Sequence, residues 1–164
     1  MIQRKQTLYL FFAGLITVIL LFIPFGTFFI EEFGIVSEQS QCFTEYNAFE
    51  IKNSEGIVIQ NTIWNAVLLI VTSVLSFITI FLYKNRKLQL RLISINMLVI
   101  LATIVTIVYI YPNFVFPKNI NLANARLEYN YVIIISFVSA LGLYFAKKAI
   151  MKDESMVRSA DRLR

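Results

Sequence analysis

The amino-acid sequence lacks the residues on which most catalytic sites depend. It contains no histidine, which is the commonest general base and the commonest metal ligand. The lone Cys42 cannot form an internal disulfide or the paired-thiol centre of a thiol oxidoreductase. Glycines number only five, and neither common glycine-rich phosphate-binding motif occurs. We therefore expect no enzymatic activity, no metal and no cofactor.

Charged residues are absent from four long stretches, 6–30, 56–83, 92–117 and 129–146. Hydrophobic residues make up 58% of the chain, against about 45 to 50% in soluble domains. A helix needs roughly 20 apolar residues to cross a hydrocarbon core, so all four stretches qualify. Lipid offers the backbone no hydrogen-bond partner, which favours helices. The predicted fold class is an all-α membrane protein, a bundle of four transmembrane helices at 7–30, 62–83, 92–111 and 129–145, forming one domain over 1–164.

The basic residues predict the orientation of these helices. With both termini cytoplasmic, twelve Lys and Arg lie inside and three lie outside, as the positive-inside rule requires. Arg4 and Lys5 resemble the start of a signal peptide, but the apolar run that follows is too long and lacks a cleavage site. We expect a multi-pass protein of the bacterial inner (cytoplasmic) membrane, anchored by an uncleaved first helix.

The connecting segments differ in length and character. The periplasmic loop 31–61 contains FTEYNAFEIKNSEGIVIQN, in which aromatic and β-branched residues flank a polar NSEG, so a small β-hairpin is predicted. Glu31, Glu32 and Glu38 could bind a cation there, although solvated acids at a helix end are the simpler interpretation. The second periplasmic loop, 112–128, reads as loop with one helical turn. The short KNRKLQLR connection makes the second and third helices antiparallel neighbours.

The predicted spans contain no ionisable residue, which argues against an ion-coupled transporter. They contain small and hydroxylated residues at helical spacing instead, and such stripes usually serve helix packing. The alternative is a polar cleft for a lipid headgroup or small solute, lined by Asn96, Thr103 and Ser136. Trp64 and Asn65 lie near a predicted span end and are interpreted as markers of the membrane interface.

The cytoplasmic tail 146–164 has no glycine or proline after residue 146, so the fourth helix can continue beyond the bilayer. Met156, Ala160 and Leu163 form a thin apolar stripe on that helix. The tail could lie on the inner leaflet, dock a protein partner, or serve orientation alone. The candidate contact residues for a partner or lipid surface are Arg158, Asp161, Arg162 and Arg164.

Three segments, MIQRKQTLYL, KNRKLQLRL and MKDESMVRSADRLR, resemble those of a family of small four-span membrane proteins from Bacteroidota, domain of unknown function family 4293. The resemblance covers nearly the full length and keeps the order and spacing of the segments. It implies an inner-membrane location and a four-span fold, and it transfers no catalytic residue. The specific pattern VRSADRLR favours a docking role for the tail.

Two functions are consistent with these features. The first is a non-enzymatic scaffold or accessory subunit whose partners are the lipid bilayer and a cytoplasmic or membrane protein. The second is a binder or carrier of a lipid or other apolar small molecule within the helix bundle. Nucleic acid is not an expected partner, because no basic groove with interleaved aromatic residues is present.

Overall fold

The computed structural model describes residues 3–30, 42–53, 56–83, 85–115 and 126–162. Four helices and five strands occupy these ranges. The helices are α1 (Gln3–Ile19), α2 (Ile63–Phe81), α3 (Arg86–Val105), which continues as a π-helix over Thr106–Val115, and α4 (Val132–Arg162). The strands are β1 (Gly26–Ile30), β2 (Cys42–Tyr46), β3 (Glu50–Asn53), β4 (Val58–Asn61) and β5 (Arg126–Tyr129). The structure therefore confirms the prediction of a mostly helical protein with a small β element.

Each of the four helices packs against two of the others, and we call the four packed helices the helical layer. Both α1 and α3 contact α2 and α4 on either side. The face of α2 that points inward is small and polar, with Asn65, Thr72, Ser76 and Thr79 all buried. Its outward face carries exposed apolar side chains such as Val74. This polarity is the reverse of a helix in a soluble protein, and it is expected where lipid surrounds the helices.

Three of the helices are long and apolar enough to cross a membrane, over Ile63–Phe81, Arg86–Val115 and Val132–Met156. The apolar part of α1, Gln6–Ile19, is shorter. At 1.5 Å per residue it is about 21 Å long, less than the roughly 30 Å of a hydrocarbon core. The helical layer thus contains one short helix among three long ones.

The predicted first span over 7–30 is wrong at its second half, because α1 ends at Ile19 and residues 26–30 form β1. Pro24 cannot donate a backbone hydrogen bond, and it disfavours the helical conformation of the residue before it. The following Gly26 and the aromatic pair of β1 suit a strand better than a helix. An apolar run long enough for a span therefore divides into a helix and a strand.

The strands form one antiparallel sheet in the order β4-β3-β2-β1-β5. β3 and β4 pair on either side of the NSEG segment, and Gly56 has a φ of +79°, so the predicted hairpin is present within a larger sheet. β5 forms one edge of the sheet and pairs with β1, which is about 100 residues away in sequence. An added Cβ at Gly26 would lie 2.6 Å from the backbone oxygen of Glu128, so this pairing needs glycine.

The predicted loop 112–128 is corrected at both ends. The π-helix that follows α3 continues to Val115, and Pro112 lies inside it. Proline has no N–H, so the regular α-helical ladder cannot continue through that position. At the other end, residues 126–129 form β5 against β1. The segments predicted as third and fourth spans, 92–111 and 129–145, are mostly helical, but their limits differ. α3 begins earlier, at Arg86, and passes into the π-helix after Val105, whereas α4 begins later, at Val132, and continues to Arg162.

Two apolar cores hold the described residues together. The first joins the sheet to the helices, with Phe28, Tyr46 and Ile51 of the strands packed among Leu69 and Ile107. Leu20 and Phe25, which follow α1 in the chain, belong to the same core, so the sheet packs on the helical layer beside the end of α1. The second core lies between the helices at the opposite end and includes Leu10, Ile93, Leu143 and Ile150. We call the end of the helical layer at the first core the sheet end, and the end at the second core the charged end.

Candidate functional site

Asn96 is completely buried in the middle of α3, where the sequence predicted a polar cleft. Its side-chain Nδ2 donates a hydrogen bond to Ser76 Oγ at 2.8 Å, and Ser76 Oγ donates to the Thr72 carbonyl at 2.9 Å. The Oδ1 atom of Asn96 has no hydrogen-bond partner among the described residues. This chain of bonds joins α3 to α2 and leaves one acceptor of the amide unused.

The other two residues of the predicted cleft, Thr103 and Ser136, are also buried. Thr103 donates to the Val99 carbonyl of its own helix at 2.9 Å, and Ser136 donates to the Val132 carbonyl at 3.0 Å. The hydrogen bonds of the described residues therefore do not connect Asn96, Thr103 and Ser136. Hydroxyl groups satisfied within their own helix are typical of packing positions.

Tyr46 joins the sheet to the helical layer at the sheet end. Its ring is fully buried and contacts the rings of Phe25, Phe28 and Tyr111, with centroids 5.3, 6.4 and 6.1 Å away. Asn65 Nδ2 donates to the Tyr46 hydroxyl at 2.7 Å, and Asn65 Oδ1 has no partner among the described residues. Burial raises the pKa of Tyr46 well above its ordinary value, and the hydrogen bond from Asn65 offsets only part of that shift.

Asn65 was interpreted from its position as an interface marker, and the structure buries it completely. Its neighbour Trp64 is 70% exposed, as an interface marker should be. A signal for the difference is present in the sequence, because Asn65 precedes Thr72, Ser76 and Thr79 at helical spacing. The polar stripe of α2 therefore starts at Asn65 and faces inward over its whole length.

The predicted tail is helical, because α4 is one helix of 31 residues that ends at Arg162. We call residues 147–162 the α4 arm; it is about 24 Å long at 1.5 Å per residue. Ser155, Met156 and Ser159 on this arm are exposed. Three of the predicted contact residues, Arg158, Asp161 and Arg162, lie on the arm, but their side chains and all of Arg164 fall outside the described part.

The base of the arm is attached to the helical layer. Gln6 on α1 donates a hydrogen bond from its side-chain amide to Asp153 on α4. Ile150, one turn earlier, is 1% exposed and belongs to the second apolar core. Beyond Asp153 no apolar core residue is found among the described positions. The arm is therefore anchored up to Asp153 and projects beyond it.

A small polar cleft of about 20 Å³ lies beside this attachment, at the charged end. All four helices or their connections contribute to it, and its lining includes Gln6, Thr7, Tyr83, Arg86, Gln89 and Asp153. Gln89 is buried and donates to the Thr79 carbonyl at 3.2 Å, which joins α3 to α2. Gln6 and Gln89 are not among the site residues predicted from the sequence. Each is a polar residue within one or two turns of an apolar run, and this position is the feature of the sequence that could have indicated them.

Metal-binding groups are not found in the part of the chain that the structure describes. No three His, Cys, Asp or Glu side chains come together there. Glu31, Glu32 and Glu38 lie outside the described residues, and Cys42 is the first residue of β2 with its side chain outside them. The candidate sites are thus polar contacts between helices and one cleft at the charged end.

Comparison with known proteins gives one finding about the family. A family model described as a domain of unknown function, DUF4293, matches residues 2–163, almost the whole chain. No curated protein matches the sequence. The match confirms the predicted family, and its description assigns no activity.

Proposed function

We propose that the chain, which belongs to the DUF4293 family, is a non-enzymatic integral membrane protein that acts as a scaffold or accessory subunit. Its helical layer is the membrane anchor, and its α4 arm is the docking segment for a protein partner. The residues proposed to make the contact are Arg158, Asp161, Arg162 and Arg164. The lipid bilayer is the other partner of the protein.

The length of α4 is the observation that carries this proposal. A helix of 31 residues is about 46 Å long, whereas a hydrocarbon core is about 30 Å thick. The first charged residue of α4, Lys147, marks the point where the apolar part ends. The helix continues past the last anchored residue and carries exposed side chains at Ser155, Met156 and Ser159, and a tail that only set the orientation would not need a continuous helix.

We place the protein in the bacterial inner membrane with both termini in the cytoplasm. The distribution of twelve Lys and Arg on one side against three on the other supports this orientation. The sheet then faces the periplasm. Reporter fusions at the connection near residue 84 and at the carboxyl terminus should both report the cytoplasm, and fusions that report opposite faces would contradict the placement.

A truncation designed on the arm base tests the docking role. A chain that ends at Glu154 keeps Ile150 and Asp153, so we expect it to insert and to unfold at the temperature of the full chain. A photo-crosslinking residue at exposed Ser159 of the full chain should capture one recurring protein in the source membrane. The charge-reversal variant R158E/R162E should lose that product and keep its insertion.

The matched control is the same crosslinker at Val138, an exposed apolar position in the membrane-spanning part of α4. It should capture lipid or diverse membrane proteins, and it should not respond to the charge reversal. Identical products from Ser159 and Val138, or a product at Ser159 that survives the charge reversal, would contradict a docking role for the arm.

A second candidate function is the binding of a lipid or other apolar small molecule within the helical layer. The unused Oδ1 of the buried Asn96 favours it, because a ligand hydroxyl could supply the missing donor. Mass spectrometry of the purified protein should then detect a retained molecule that Asn96→Leu releases. A protein that retains nothing in either form would contradict this alternative.

A further inference from the structure

Two opposite charges face the cleft at the charged end without neutralising each other. Arg86 begins α3 and Asp153 lies on α4, and both side chains are half-buried. Among the described residues the structure gives Arg86 no ion pair within 4 Å, while the carboxylate of Asp153 accepts a hydrogen bond from neutral Gln6. The remaining polar lining is neutral. Among the described residues, the cleft therefore presents one cation and one anion with no ion pair between them.

Half-buried charges that remain apart are costly for a protein, because each loses part of its hydration without gaining a partner. A ligand that carries both charges on one short group would supply both partners. A simple anion would satisfy Arg86 but would be repelled by Asp153, and a simple cation would have the opposite problem. The charge pattern thus favours a zwitterion over a singly charged ligand.

The size of the cleft limits which part of such a ligand enters. A cavity must offer roughly 10 to 15 Å³ to hold one water molecule, so a cleft of about 20 Å³ holds one group of that size. A primary ammonium group is similar in size to water and donates three hydrogen bonds. A trimethylammonium group is larger and donates none. An ammonium group therefore fits the cleft, whereas a phosphate group is too large to enter it.

The position of the cleft suits a lipid. It lies where α2 ends and α3 begins, at the boundary of the apolar helices Ile63–Phe81 and Arg86–Val115. This boundary is the depth at which phospholipid headgroups lie in a bilayer. Exposed Lys87 next to Arg86 does not line the cleft, and neither does Glu154 next to Asp153. These neighbours provide charge-matched controls.

We propose that the cleft binds the headgroup of a zwitterionic phospholipid with a primary amine, phosphatidylethanolamine. Arg86 binds the phosphate by charge-assisted hydrogen bonds, and Asp153 accepts hydrogen bonds from the ammonium. Gln6 positions the Asp153 carboxylate from the other side. The site is distinct from the buried residues around Asn96, and it does not depend on a docking role for the arm.

Lipid retention measured on the full-length protein tests this assignment. The delipidated protein in detergent is offered phosphatidylethanolamine, phosphatidylcholine and phosphatidylglycerol with identical acyl chains, and bound lipid is counted by native mass spectrometry. Phosphatidylethanolamine should be retained over each of the others by roughly tenfold, the change that one lost charge-assisted hydrogen bond gives. Thermal unfolding midpoints should rise with that lipid alone.

Single substitutions test the contribution of each charge separately. Arg86→Gln and Asp153→Asn should each abolish the preference, whereas Lys87→Gln and Glu154→Gln should keep it. Asp153→Asn retains an oxygen to accept the bond from Gln6, so this variant removes the charge with little change to the attachment. The lipid comparison on the unaltered protein needs no variant, so it remains decisive if a substitution prevents folding.

Three results would overturn the proposal. Equal retention of all three lipids would show that the cleft holds only water. Retention of phosphatidylglycerol equal to that of phosphatidylethanolamine, with Asp153→Asn without effect, would show a simple anion site. Soluble phosphoethanolamine that raises the unfolding midpoint as much as the lipid does would show that the ligand comes from solution.

Discussion

Replacement of Asn96 by leucine should leave the stability of the protein nearly unchanged, although the residue is fully buried in the apolar helix α3. The substitution removes the hydrogen bond from Asn96 to Ser76, and bonds between membrane helices contribute about 0.6 to 2 kcal/mol. It also removes the unpaired Oδ1 of Asn96, a buried acceptor that costs about 1 to 3 kcal/mol. The two effects oppose each other, so we expect the free energy of unfolding to change by less than about 1 kcal/mol.

The partner substitution should behave differently. Ser76→Ala removes the acceptor for the Asn96 amide and leaves both ends of that amide buried without partners, so we expect a loss of about 1 to 3 kcal/mol. In the Ser76→Ala background, Asn96→Leu then removes the whole unpaired amide and should restore stability. Asn96→Leu should therefore stabilise the Ser76→Ala variant, whereas it should leave the stability of the unaltered protein nearly unchanged.

Reversible unfolding in mixed micelles of a mild detergent and dodecyl sulfate can measure the four proteins of this double-mutant cycle. Folding of each variant is checked by helix content before titration. A loss above about 2 kcal/mol for Asn96→Leu alone would refute the reasoning, because it would mean that the amide is fully satisfied. Additive single substitutions would refute it as well.

Three further predictions concern other parts of the molecule. Gly26→Ala should destabilise the protein by about 1 to 3 kcal/mol, because the new Cβ would lie 2.6 Å from the β5 backbone, whereas Gly142→Ala meets only an ordinary 3.4 Å contact and should be tolerated in the same unfolding assay. Ile150→Ala should cost about 2 to 5 kcal/mol and exposed Met151→Ala little, as thermal unfolding can compare. Burial raises the pKa of Tyr46, so above about pH 10 the unfolded chain loses a proton that the folded chain keeps, and the free energy of unfolding should fall as pH rises. An alkaline titration of stability should be less steep in Tyr46→Phe.

The helices were predictable because lipid imposes a simple rule on the chain. Long stretches without charge, bounded by charged residues, predict α2, α3 and α4, and the absence of glycine and proline after residue 146 predicts the long α4. The same rule failed at β1, because Phe28 and its apolar neighbours satisfy a hydropathy threshold equally well in a strand packed on helices. Hydropathy describes how strongly a side chain avoids water, and it does not distinguish burial in lipid from burial in a protein core.

The sheet and the cleft depend on contacts that sequence spacing does not encode. The NSEG segment indicates one hairpin, but the pairing of β1 with β5 joins segments on either side of α2 and α3. The contact between Gln6 and Asp153 likewise joins the two ends of the chain. Such pairings are decided by how the helices pack, and a single sequence gives no local signal for them. The polar stripe of α2 was visible, while the partner of each of its residues was not.

The pairing of β1 with β5 has a consequence for the order of assembly during synthesis. β1 leaves the ribosome early, but its neighbour β5 follows only after α2 and α3 have been made. One edge of β1 must therefore wait, with its backbone groups unpaired, until α2 and α3 have been made. The pairing of β1 with β5 joins strands that are distant in sequence, so it is expected to be slow compared with the formation of the helices. A chain interrupted before residue 126 would expose that unfinished edge, and it would be a natural substrate for membrane quality-control proteases.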